Sequence, residues 1–86
     1  MADVTIVVRY FAAARAAAGV EDEKIEIAGM ATVADLLDAL RAEHGDGLAH
    51  VLKRCSYLLD EVAVRDLATP LTHATTLDVL PPFAGG

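Results

Sequence analysis

Thr32-Val33-Ala34-Asp35-Leu36-Leu37-Asp38-Ala39-Leu40 is the stretch whose reading decides the fold. Val33, Leu36, Leu37 and Leu40 recur at three- and four-residue spacing, which gathers them on one face of an α-helix. Asp38, Arg41 and Glu43 fall on the opposite face and point to water. Thr32 can accept from the first free helical N–H groups, and the acid three residues on completes a capping-box-like pattern. Asp35 and Asp38 also suit the positive end of the helix dipole. Gly45 ends the helix, and Gly45-Asp46-Gly47 reads as a loop. A helix with one apolar stripe must lie on another layer, and its flanks read as strands.

Upstream, Val4-Thr5-Ile6-Val7-Val8-Arg9-Tyr10 alternates, with Val4, Ile6, Val8 and Tyr10 on one face. Val7 makes the second face partly apolar as well, which marks a central strand. Phe11 to Ala18 is dominated by alanine, the best helix former, and Gly19 stands at a C-cap position; one or two helical turns are predicted. Glu23 to Ala28 is a short strand with Ile25 and Ile27 inward and Lys24 and Glu26 outward. Downstream, Leu48 to Arg54 reads as another short helical turn. Ser56–Leu59 and Val62–Arg65 bracket Asp60-Glu61 as a tight hairpin, although Glu61 stands where a glycine is usual. Pro70 marks a loop, and Thr76–Leu80 is the last strand, stopped by Pro81-Pro82. The order β, short α, β, long α, β, β, β predicts an α+β fold, a mixed sheet carrying a helix on one face. The apolar first and last strands are natural central neighbours.

Composition bounds the function. Eighty-six residues make one domain, large enough to fold without metal or disulfide staples. The hydrophobic fraction is 55%, but seventeen of those residues are alanine, so the core-forming set is smaller. A mean hydropathy of +0.41 still leaves apolar surface for an interaction face. Net charge is −6 and the pI about 4.7. With no basic stripe interleaved with aromatics, nucleic-acid binding is not expected. No apolar run reaches the roughly 18 residues of a membrane span, and no basic-then-apolar secretory signal opens the chain. With a single cysteine, these features point to the cytoplasm.

The body shows no catalytic constellation. Cys55, the lone thiol, reads as a small buried hydrophobe. His44, His50 and His73 lack metal-ligand spacing, and one thiolate cannot hold zinc or an iron–sulfur cluster, so a plant-type ferredoxin is excluded. Ser56 has no nucleophile-elbow glycines around it, and no glycine-rich phosphate loop follows a strand. The carboxylates read as solvated faces, caps and turns.

What remains is Pro81-Pro82-Phe83-Ala84-Gly85-Gly86. Four residues beyond the prolines can reach about 13 Å, enough to put a carboxylate into another protein's cleft. Gly85 and Gly86 have no side chain, so a partner can approach their backbone closely. The Gly86 carboxylate is therefore the candidate reactive group, with residues 1–80 as the domain and 81–86 as an extended tail.

Leu77-Asp78-Val79-Leu80-Pro81-Pro82-Phe83-Ala84-Gly85-Gly86 resembles the carboxyl end of the MoaD/ThiS family of ubiquitin-like sulfur carriers, in its molybdopterin synthase branch. Tyr10-Phe11-Ala12, Arg15, Gly19, Thr32-Val33 and Pro70-Leu71 extend the likeness. Asp60-Glu61 departs from the family's Asn-Gly-like turn, and Ala74-Thr75-Thr76-Leu77 from its Gly-Asp-Glu-Val stretch. The resemblance implies a β-grasp fold of about five strands with one main helix on one face. It also implies that a ubiquitin-activating-like enzyme adenylates Gly86 with ATP and that a sulfur donor protein converts it to a thiocarboxylate. The tail would then enter the large subunit of molybdopterin synthase and give sulfur to cyclic pyranopterin monophosphate. The assembly implied is two small and two large subunits, with the catalytic residues on the large one. This chain would itself bind no cofactor or metal and would be a sulfur-donating, non-catalytic subunit. Phe11, Val64, Leu80, Pro81, Pro82, Phe83 and Ala84 become candidate partner contacts, core packing being the alternative for Phe11, Val64 and Leu80. A carrier for thiamine or cysteine synthesis, a ubiquitin-like modifier joined through Gly86, and an interaction domain with an inert tail stay open.

Overall fold

The computed structural model describes residues 3–72, 74 and 76–82. The predicted alternation folds into one five-stranded mixed sheet with its helices on one face. The elements are β1 (Asp3–Tyr10), α1 (Ala13–Ala18), β2 (Asp22–Ala28), α2 (Val33–His44), α3 (Asp46–Leu52), β3 (Ser56–Leu59), β4 (Val62–Ala63) and β5 (Thr76–Leu80). The strand order is β2-β1-β5-β3-β4. β1 and β5 run parallel, with Val8 opposite Leu77 and Tyr10 opposite Val79; every other pairing is antiparallel. The apolar first and last strands are indeed neighbours, and β5 is the middle strand.

Period two decides which face each strand residue takes. Ile6, Val8, Tyr10, Leu77 and Val79 point beneath the helices and are fully buried. Val33, Leu36, Leu37 and Leu40 of α2 meet them from above, joined by Ala14, Leu48 and Leu52 from the two shorter helices. The opposite sheet face is open and carries Arg9, Asp78 and Thr76.

α2 begins as its sequence requires. The Asp35 N–H donates to Thr32 Oγ1 at 3.2 Å and the Thr32 N–H to an Asp35 carboxylate oxygen at 2.9 Å, a complete capping box. Two further helical donors, the Val33 and Ala34 N–H groups, are taken by the Thr69 and Leu67 carbonyls at 3.0 and 2.9 Å. The segment around Pro70 therefore closes the helix end as well as linking β4 to β5.

Two local expectations are corrected. Gly45-Asp46-Gly47 is not a loop, because Gly45 alone makes the break between α2 and α3. Its φ of 83° and ψ of −162° belong to a region open essentially to glycine, so α3 starts at once at Asp46 and ends at Leu52, two residues before the expected Arg54. The hairpin strand expected over 62–65 is shorter, β4 comprising Val62–Ala63 alone. Its turn is well defined: Asp60 and Glu61 both have positive φ, 47° and 70°, as a type I′ turn demands.

Candidate functional site at the tail root

β5 carries the chain to the point where the tail begins. Each of its edges is hydrogen-bonded, to β1 and to β3, so Leu80 and Pro81 leave from the middle strand of the sheet. The Phe11 N–H donates to the Val79 carbonyl at 3.3 Å, tying the end of β1 to the same place. Ala12 then turns sharply, with φ 51° and ψ −124°, and the Ala14 N–H reaches back to the Phe11 carbonyl at 3.0 Å. Those angles are those of a type II′ turn, where glycine is preferred. The strained residue lies directly beside the tail root.

Pro81 is half-buried and Pro82 exposed. They close a groove of about 240 Å³ with Ala13, His50, Val51 and Arg54. Phe11 and Leu80 are half-buried, and strand alternation puts both on the open face of the sheet. Val64 goes elsewhere. Its N–H donates to the Tyr57 carbonyl at 2.9 Å and its side chain packs against the core on the helical side. The structure thus brings Phe11, Leu80, Pro81 and Pro82 to one end of the sheet and leaves Val64 off that face. Phe83, Ala84, Gly85 and Gly86 lie outside the described residues, as does His73.

The open face beside Leu80 holds a group that sequence reasoning missed. Arg9 and Asp78 sit opposite one another in the parallel β1–β5 register. The Arg9 guanidinium donates to both carboxylate oxygens, Nε at 2.6 Å and Nη2 at 2.8 Å. Asp78 is only 6% exposed, so a carboxylate expected on a solvated surface is instead covered by its partner. The bond and charge of Asp78 hold the Arg9 guanidinium above its ordinary pKa. Arg9 also lies 5.9 Å from the centre of the Phe11 ring, within cation–π range. The pair forms one wall of a shallow polar groove of about 350 Å³ that reaches the Asp60-Glu61 turn.

A second missed cluster lies on the core side. Tyr10 donates its hydroxyl to Glu23 Oε2 at 2.6 Å, and the same oxygen meets His44 Nε2. The rings of Tyr10 and His44 are edge to face, 5.9 Å apart. Burial first, then the Glu23 bond, raises the Tyr10 pKa well above its ordinary value. This trio ties β1, β2 and the last turn of α2 together. Cys55 is half-buried, its thiol donating to the Val51 carbonyl at 3.3 Å and pushed up in pKa by burial. That suits packing rather than nucleophilic attack. Among the described residues no group of three or more His, Cys, Asp or Glu side chains could hold a metal, and no helix is long and apolar enough to cross a membrane.

A five-stranded mixed sheet closed over one long helix, with its first and last strands parallel, is the β-grasp of ubiquitin-like proteins. The chain belongs to the ThiS family, whose model matches residues 8–86. It is 34% identical over 82 residues to the molybdopterin synthase sulfur carrier subunit of Chlamydomonas reinhardtii, covering 94% of this chain and 98% of that one. The crystal structure of SAMP1 from Haloferax volcanii superposes with a TM-score of 0.83 at 26% identity, covering 96% of this chain and all of that one. A chain in the complex of subunits 1 and 2 of the molybdopterin-converting factor from Helicobacter pylori matches with a TM-score of 0.71 at 25% identity, over 96% and 100% of the two chains.

Proposed function

We propose that this chain is a cytoplasmic sulfur carrier that holds sulfur as a thiocarboxylate on Gly86 and delivers it within a molybdopterin synthase. The observation that carries the reading is its 34% identity to a molybdopterin synthase sulfur carrier subunit over nearly the whole of both chains. The exit of the chain from a central strand paired on both edges supports it. A carboxylate exchanges its oxygen only after conversion to a better electrophile, so an adenylating enzyme uses ATP to form the acyl-adenylate. A sulfur donor then displaces AMP and leaves the thiocarboxylate. Gly85 and Gly86 admit the tail to a narrow partner cleft because neither carries a side chain. The large synthase subunit receives the tail and supplies the catalytic groups that pass sulfur to cyclic pyranopterin monophosphate. The solved pair of subunits from Helicobacter pylori supports such a partner.

The experiment is reconstitution with a large subunit and the cyclic precursor. Molybdopterin formation that depends on the loaded chain supports the reading. A chain that loads with sulfur yet never yields molybdopterin points to another sulfur pathway, thiamine or cysteine synthesis. A second reading, attachment of Gly86 to a target lysine, is favoured by the likeness to SAMP1, the small archaeal modifier protein. Recovery of Gly86 in an isopeptide bond with another protein would support it.

A further inference from the structure

The chain has 7 lysines and arginines against 13 acidic residues, yet its cations are not spread evenly. A cleft of about 390 Å³ opens between α2, the α3–β3 turn and the segment following β4. Arg41, Lys53 and Arg65 stand around it, and no carboxylate is among its described lining residues. The groove beneath Pro81 and Pro82 begins one residue further on, at Arg54, and adds His50. Four of the seven lysines and arginines thus line two adjoining grooves on a chain of net charge −6. Arg41 pairs with Asp38 at 2.9 Å. Lys53, Arg54 and Arg65 are exposed and make no ion pair with any described residue. The cleft also has an apolar lining, from Leu37, Leu52, Val64 and Leu67, and Leu67 is 45% exposed.

We propose that this basic cleft docks an acidic segment bearing a bulky apolar side chain, presented by the protein that receives the tail. Ser56, on the cleft wall, is the register partner of Leu80, so the cleft opens at the same end of the sheet as the tail root. A partner that swallows the tail must approach this end. Acidic groups there would meet cations that lack an internal partner, while the apolar side chain covers Leu67 and Val64. Charges of this kind steer encounter and fix orientation more than they add affinity. An inorganic anion is a poorer fit. Sites for small anions converge backbone N–H groups or buried donors on one point, whereas these cations are exposed and ring an apolar floor. The inference rests on the carrier reading only in naming the tail's receiver as the partner.

The test is a titration of the ¹⁵N-labelled full chain with a synthetic peptide, Asp-Glu-Leu-Phe-Asp-Glu, blocked at both ends. The neutral peptide Asn-Gln-Leu-Phe-Asn-Gln and inorganic phosphate serve as comparison probes. The acidic peptide is expected to move the amide signals of Lys53, Arg54, Ser56, Tyr57 and Arg65, with an effect that fades as salt is raised. The Lys53→Glu/Arg65→Glu double variant, with an unchanged melting temperature, should bind it about tenfold more weakly. Signals that move elsewhere, or equally with the neutral peptide, would overturn the proposal. Phosphate moving the same signals as strongly would replace it with an inorganic-anion site. Gly86 takes no part in this titration, so its failure is separable from failure of the carrier reading.

Discussion

Both tyrosines of the chain serve as internal reporters of packing. Tyr10 is fully buried and bonded to Glu23. Tyr57 is 8% exposed, donates to the Leu52 carbonyl at 2.8 Å and has its pKa pushed up to about 12, chiefly by burial. Native protein should therefore show no phenolate absorbance near the ordinary tyrosine value of about 10. A phenol whose pKa is raised on folding stabilises the native state below the unfolded value and loses that contribution as pH rises through the folded one. Stability should accordingly fall between pH 10 and about 12. A tyrosine titrating at its ordinary value in folded protein would contradict this packing. At Arg9 and Asp78 the expectation is asymmetric. Arg9→Met should lower the melting temperature by stranding a nearly buried carboxylate, and adding Asp78→Leu should restore much of the loss. These contacts were only partly legible. Asp78 alternates with Leu77 and Val79, so its place on the opposite sheet face could be read; that Arg9 would cover it could not, since only the β1–β5 register brings the two together. Glu23 shares the inward parity of Ile25 and Ile27, a signal that its charge disguised.

Among the elements, α2 was the most legible because its caps and apolar stripe agree. Leu36 is fully buried beneath it, and Leu36→Ala should cost about 2–5 kcal/mol by leaving a cavity, measured by denaturant unfolding. The hairpin works against its own residue choice. Glu61 holds a φ of 70° with an exposed side chain, a conformation that costs an L-residue roughly 1–2 kcal/mol. Glu61→Gly should thus stabilise the protein by about 1 kcal/mol, or some 4–8 °C in a domain of this size. Ala12→Gly should act in the same direction for the same reason. A drop in melting temperature for both variants would show that these turns are not under strain. The misread loop at residues 45–47 has a physical cause. Two glycines in three residues signal irregular backbone, yet Gly47 falls in the first turn of α3, where its poor helix propensity matters little once the packing of Leu48 and Leu52 fixes the segment.

At the scale of the whole molecule, the alternation of elements was enough to call for a mixed sheet with the first and last strands adjacent. The short hairpin strand and the route of residues 64–71 across the start of α2 were not, because they depend on backbone bonds that no periodicity encodes. Val64 takes the core-packing place that the sequence left open beside a partner contact. Phe11 and Leu80 do lie on one face at the end of the sheet where the tail begins, and the parallel β1–β5 pair is what brings them there. The sulfur-carrier account itself turns on one atom. The 86-residue chain, incubated with ATP, an adenylating enzyme and a sulfur source, should gain the mass of one oxygen exchanged for sulfur, located by fragmentation to Gly86. A chain lacking Gly86 should fold with an unchanged melting temperature and gain nothing. An unaltered mass at Gly86 with active enzyme and donor present would contradict the account.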